Sequence, residues 1–128
     1  MHVEAVRQAA VEALEQIKAK DVTVLDVRKM TSLFDYMIVA TAESARQTKA
    51  LARNVQDKLK ELGVRVQGLE GEQTGEWVLV DLGDVIVHVM QPAIRTYYNL
   101  EQLWGGRPPS PHPTTWRTAP GVEPPAAL

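Results

Sequence analysis

Cysteine is missing from this chain altogether. That absence excludes disulfides, thiolate nucleophiles and cysteine-held metals, and it suits a reducing compartment. Long hydrophobic runs are missing too: nothing approaches the roughly 20 apolar residues of a membrane span. The first residues are charged and amphipathic, unlike the basic–apolar–small order of a secretion signal. The expectation is a cytoplasmic protein with no membrane partner. Nor does one sign of charge dominate, since 14 Lys and Arg against 16 Asp and Glu leave a formal net charge of −2. A global electrostatic footprint for nucleic acid is therefore excluded, and no direct sequence-specific nucleic-acid binding is expected.

What is present is a chain of 128 residues, 45% hydrophobic, enough for one domain with a sizeable core. Val3, Val6, Ala10, Leu14 and Ile17 recur at helical spacing and predict an amphipathic helix over 3–20. Residues 21–27 switch to β-branched types and read as a strand. The apolar run 35–41 reads as a buried central strand. A second helix opens at Ser44, where Gln47 three positions on makes a capping box. Thr48, Leu51, Val55, Leu59 and Leu62 form its buried stripe, and Gly63 ends it. A short strand at 64–68 and a glycine- and acid-rich loop at 69–76 precede a β-hairpin within 76–90. Pro92 then starts a last helix with a break near Asn99. The order predicts an α/β fold, a mixed β-sheet flanked by helices. Residues 105–128 hold seven of the eight prolines and almost no aliphatic side chains, so they read as a disordered tail beyond a domain at 1–104.

The hairpin, EWVLVDLGDVIVHVM, raises the functional question because Asp81, Asp84 and His88 interrupt it. Two registers are open. A two-residue turn at Leu82-Gly83 pairs Asp81 with Asp84, Leu79 with Ile86 and Trp77 with His88. A three-residue loop Asp81-Leu82-Gly83, with Gly83 left-handed, groups Trp77 and Leu79 with Val85 and Val87; its turn chemistry is better and it is the preferred register. Either way both faces are largely apolar. One packs on helices, and the other must be covered by a helix, a second subunit or a partner. A metal site at Asp81, Asp84 and His88 has no matching ligand spacing; a lone strand histidine is more often structural, and the aspartates are turn formers first.

Other chemistry finds little support. Gly68, Gly71 and Gly75 have no P-loop lysine and precede a strand, so they make no phosphate cradle. Ser32, Ser44 and Ser110 sit in no nucleophile elbow. A helix start beside Arg46 could hold an anion, but a cap with a solvated arginine explains it. The basic residues of the second helix are most simply its solvated face. Tyr97, Tyr98, Leu100, Leu103 and Trp104 suit a helix docked on the sheet, part of whose surface could anchor a partner.

Together, LDV (25–27), DYMIVATAESARQTKALA (35–52), EG (70–71), the hairpin and RTYYNLEQLW (95–104) resemble the ribosomal silencing factor, or Iojap, family over about residues 3–104. Two positions depart from its usual pattern: Met90 stands for a phenylalanine and Met37 for an aromatic residue. The resemblance implies a nucleotidyltransferase-like fold without catalysis, since the glycine–serine turn and paired acids of a working transferase are missing. It implies a translation down-regulator with no cofactor and no metal. Such a factor binds the large ribosomal subunit through ribosomal protein L-fourteen and blocks joining of the small subunit under nutrient limitation. When free it is expected as a homodimer. Trp77, Leu79, Asp81, Asp84 and Tyr98 are the expected partner contacts. The competing readings are a metal-dependent nucleotidyl or phosphoryl transferase using Asp81 and Asp84, and a purely dimeric scaffold.

Overall fold

The computed structural model describes residues 1–104. The expected tail, 105–128, lies outside the described residues. Helix α1 (Val3–Gln16) buries Val6, Ala9, Ala10, Ala13 and Leu14, whose small side chains let it lie close to the sheet. It ends before the expected Lys20. Lys18 turns left-handed, with φ 61, and the Lys18 and Ala19 N–H groups bond back to the Glu15 and Leu14 carbonyls. That closure takes up the helix's loose carbonyls and sends the chain straight into β1 (Lys20–Asp26). Strand β2 (Tyr36–Thr41) follows and is buried throughout.

Helix α2 (Ala45–Glu61) is capped by Ser44, whose Oγ accepts the Gln47 N–H at 3.1 Å. The return half of the box falls one residue early, because the Gln47 Oε1 accepts the Glu43 N–H at 2.8 Å. The Gln47 amide also donates to the carbonyls of Ile17 and Lys18, tying the start of α2 to the end of α1. Thr48, Leu51, Val55 and Leu59 are buried as expected. Leu62 is exposed instead, since the helix stops at Glu61 and Gly63 takes a φ of +84° just beyond.

Strands β3 (Gly68–Glu70), β4 (Trp77–Asp81) and β5 (Val85–Met90) complete a five-stranded sheet ordered β1-β2-β5-β4-β3. The central pair, β2 and β5, is parallel and every other pair is antiparallel. The strand expected at 64–68 begins only at Gly68. Val64 and Val66 pack on the core from an irregular segment, and β3 pairs Leu69 with Val80.

Both expected hairpin registers are corrected. Asp81 pairs with Ile86, Leu79 with His88 and Trp77 with Met90. The Leu82 N–H bonds the Val85 carbonyl at 2.9 Å, leaving Gly83 and Asp84 as the two central turn residues. Gly83, with φ +89°, is indeed left-handed, but at the first central position. There a glycine lets the turn follow the strands' own twist. The Asp81 Oδ1 accepts the Gly83 N–H at 2.8 Å and fixes the bend. Val78, Val80, Val85, Val87 and Val89 face α1 and α2 in one core. Trp77, Leu79, Ile86 and Met90 face the other way, in a second core closed by α3 (Pro92–Tyr98), α4 (Leu100–Trp104) and Phe34. The break expected near Asn99 is there: it joins the two short helices in a left-handed conformation, φ 46.

Candidate functional site

The second core is where the sequence's unusual residues meet. Strand alternation turns Trp77 and His88 to the same face, and the Trp77 Nε1–H donates to the His88 Nδ1 at 2.8 Å. Tyr98 comes down from the end of α3 onto Trp77, with ring centroids 4.6 Å apart. Trp104, from α4, meets Phe34 at 5.7 Å. His88 is wholly buried. Because its Nδ1 accepts, the proton of the neutral ring sits on Nε2, which has no partner among the described residues. A buried donor left unpaired costs about 1–3 kcal/mol.

That burial depresses the His88 pKa from 6.5 to about 3. The sign follows from which state takes the proton. Below pH 6.5 the unfolded chain protonates this histidine and the folded one does not, so stability falls as pH drops from 6.5 toward 3. At pH 5 the loss amounts to about 2 kcal/mol. Thermal melts from pH 7 to pH 5 are expected to show that slope, and His88→Gln, which keeps an acceptor for Trp77, is expected to flatten it. An unchanged slope in the variant would place the titration elsewhere.

Arg95, on α3, pins this cover to the sheet edge. Its guanidinium bonds the Glu101 carboxylate at 2.7 Å, the Thr41 Oγ1 at 2.7 Å, the Thr23 Oγ1 at 3.0 Å and the Asp21 carbonyl. The bond from Arg95 holds the Glu101 carboxyl below its ordinary range. Arg95, Thr23, Thr41, Asp21 and Glu101 also line a cavity of about 810 Å³ beside β1, into which Lys20 and Glu43 bring a second ion pair. Sequence reasoning missed Arg95; its signal was a lone cation on the sheet-facing side of an otherwise apolar helix.

Of the five expected contact residues, the structure brings Trp77, Leu79 and Tyr98 together but beneath the surface; Trp77 is 1% exposed. Asp81 is half-buried at the turn and Asp84 is exposed. The Asp84 carbonyl accepts the N–H groups of Asp35 and Tyr36, so the turn is locked to the start of β2. Over the buried cluster, α3 and α4 carry Tyr97, 58% exposed, with Ile94, Leu103 and Trp104 partly covered, and Leu33, next in the chain to the buried Phe34, is 80% exposed. Among the described residues no cluster of His, Asp and Glu could hold a metal ion, and no helix is long and apolar enough to cross a membrane.

These features define a small α/β domain with one mixed sheet and two unequal helical covers, whose distinctive polar and aromatic residues hold its own architecture. The sequence profile described as "Ribosomal silencing factor during starvation" matches residues 1–125. A ribosomal silencing factor of Chromobacterium violaceum is 60% identical over 110 residues, covering 86% of this chain and 90% of that protein. One of Bacillus subtilis is 39% identical over 108 residues, covering 84% and 92%. A crystal structure of a Chromobacterium violaceum protein, 60% identical, superposes with a TM-score of 0.81 over 86% of this chain and 92% of that one. The chain belongs to the ribosomal silencing factor family.

Proposed function

We propose that this protein down-regulates translation by binding the large ribosomal subunit through ribosomal protein L-fourteen and blocking attachment of the small subunit when nutrients are limiting. The observation that carries the reading is the family match across residues 1–125. The domain at 1–104 does the work without catalysis or cofactor, in the cytoplasm, and its fold is read as nucleotidyltransferase-like. The docking surface is the face over the second core. Tyr97 and the exposed part of Trp104 supply apolar contact there with the exposed Leu33, and Asp81 and Asp84, at the hairpin turn on the sheet's rim, select a basic partner. In this reading Trp77, Leu79 and Tyr98 shape that surface from below. The free protein is a homodimer.

Co-sedimentation with isolated large subunits tests this. The unaltered chain is expected in the pellet at micromolar concentration. The double variant Leu33→Asp, Tyr97→Asp is expected to bind at least tenfold more weakly with its melting temperature nearly unchanged. Asp84→Lys, at an exposed position, is expected to weaken binding further at low salt than at high salt. Equal pelleting of all three would exclude this face. Loss of the dimer in the double variant with subunit binding intact would assign the face to self-association.

A further inference from the structure

Helix α2 carries its charges in an order that its own stability does not favour. Residues 45–56 include Arg46, Lys49 and Arg53 and no acid. All three cations are exposed. The free N–H groups at a helix start make that end positive, so an acid suits the first turn and Arg46 does not. Arg46 and Lys49 stand three residues apart and Lys49 and Arg53 four, the spacings at which like charges on a helix repel. Only Lys58 and Lys60, in the last turn, lie where the dipole welcomes them. A face built merely to be solvated would mix the signs or pair them. Among the described residues the ion pairs are Lys20–Glu43, Arg28–Asp26 and Arg95–Glu101, and none takes up these three cations. Glu43, just before the Ser44 cap, is already held by Lys20 at 2.9 Å.

The three side chains share one flank. At helical spacing, positions 46, 49 and 53 fall within about 60° of one another, in a row about 10 Å long. Gln47 and Asn54 lie on the other flank, where they bond the Ile17 and Ala13 carbonyls of α1. The row therefore looks away from α1, toward the β3 side of the sheet. There Lys49 and Arg53 border a cavity of about 250 Å³ over Ala52 and Leu69, closed by Asp57 and Glu72. Helix α1 shows the opposite sign: Glu4, Glu12 and Glu15 are exposed, while its Arg7 lies over the Tyr36 ring at 5.0 Å. A chain of formal net charge −2 thus gathers unpaired cations on one flank, where the helix's positive end adds to their field. A row suits a polyanion better than a single small ion. An acidic protein would need carboxylates in matching register, whereas a double helix offers about one phosphate charge per 1.7 Å of its axis, several along such a row.

We propose that this flank of α2 is a second docking surface, which takes the phosphate backbone of structured RNA by charge and without reading its sequence. It rests on the large-subunit reading and adds RNA contact to the protein anchor. Helices α2 and α3–α4 pack on opposite faces of the sheet, so the two surfaces do not compete. Fluorescence anisotropy of the full chain with a mixed-sequence RNA duplex of about 20 base pairs tests it. The expected Kd is below about 100 μM at about 50 mM salt, weakening about 20–40-fold by about 200 mM, as for three phosphate contacts. The triple variant Arg46→Gln, Lys49→Gln, Arg53→Gln is expected to bind at least tenfold more weakly, with its melting temperature unchanged or raised because like charges are removed. The double variant Arg46→Lys, Arg53→Lys is expected to keep its affinity, and a loss there as large as in the triple variant would overturn recognition by charge. No binding by the unaltered chain, or equal binding by the triple variant, would overturn the proposal. Co-sedimentation with large subunits separates this result from the reading beneath it. If the triple variant loses subunit binding while the unaltered chain ignores the duplex, an acidic protein holds the flank and the RNA proposal fails. If these cations bind the duplex but the unaltered chain does not pellet with subunits, the RNA surface stands and the subunit reading fails.

Discussion

Replacing Trp77 with alanine is expected to lower the unfolding free energy by about 3–5 kcal/mol, the range for truncating a large buried aromatic residue. The ring is 1% exposed and packs on Tyr98 and His88 at centroid distances of 4.6 and 5.8 Å. The change also removes the only donor to the His88 Nδ1 among the described residues. Urea unfolding at pH 7 measures the total, and Trp77→Phe separates its parts: it keeps most of the ring and loses the donor, at a cost of about 1–3 kcal/mol. A cycle with His88→Leu is expected to be non-additive, because the two side chains satisfy each other. Wild-type stability in Trp77→Ala would mean that the ring lies on the surface, where the sequence-based contact list had put it.

Arg95→Met is the second large effect, expected at about 3 kcal/mol, the lower end for breaking a buried ion pair because Glu101 keeps some contact with water. Met fills the volume but leaves Glu101, Thr23, Thr41 and the Asp21 carbonyl without the cation they share. Arg95→Lys is expected to recover little, since one ammonium cannot span acceptors on α4, β1 and β2 at once. A pH signature accompanies the loss. With its folded pKa depressed by Arg95, Glu101 adds stability above its ordinary pKa of 4.5, and that increment is lost as pH falls through the folded value. The acid limb of the stability profile is therefore expected to flatten in Arg95→Met. Full stability in that variant would show that the cover is held by packing alone.

Much of the fold was legible because its signals are local. The 3.6-residue period of α1 and α2, the Ser44 cap, the Gly63 stop and the Asn99 break each depend on neighbours within one turn. The hairpin register was not legible, because a run apolar on both faces carries no alternation to align it. Gly83 marked the turn, but its position within the turn depends on strand twist. Strand β3 was misplaced for a related reason: three half-buried residues leave no pattern, and only the pairing of Leu69 with Val80 defines them. Within the candidate site, the family pattern picked out Trp77, Leu79 and Tyr98. It could not separate residues that shape a surface from residues that form it, because burial here depends on α3 and α4 folding back over the sheet.

The parallel pairing of β2 with β5 has a consequence for how the chain is made. Synthesis delivers α1, β1, β2 and α2 first, with the inner edge of β2 open until β5 has emerged. An antiparallel neighbour could close that edge after a short turn, but a parallel one must wait for a distant segment. For that interval a strand that is buried throughout in the finished fold is half-paired, covered on one face by helices and bare along its side. The nascent domain is therefore most vulnerable to mispairing just before Val85–Met90 leaves the exit tunnel, and slow codons ahead of that segment would lengthen the exposure.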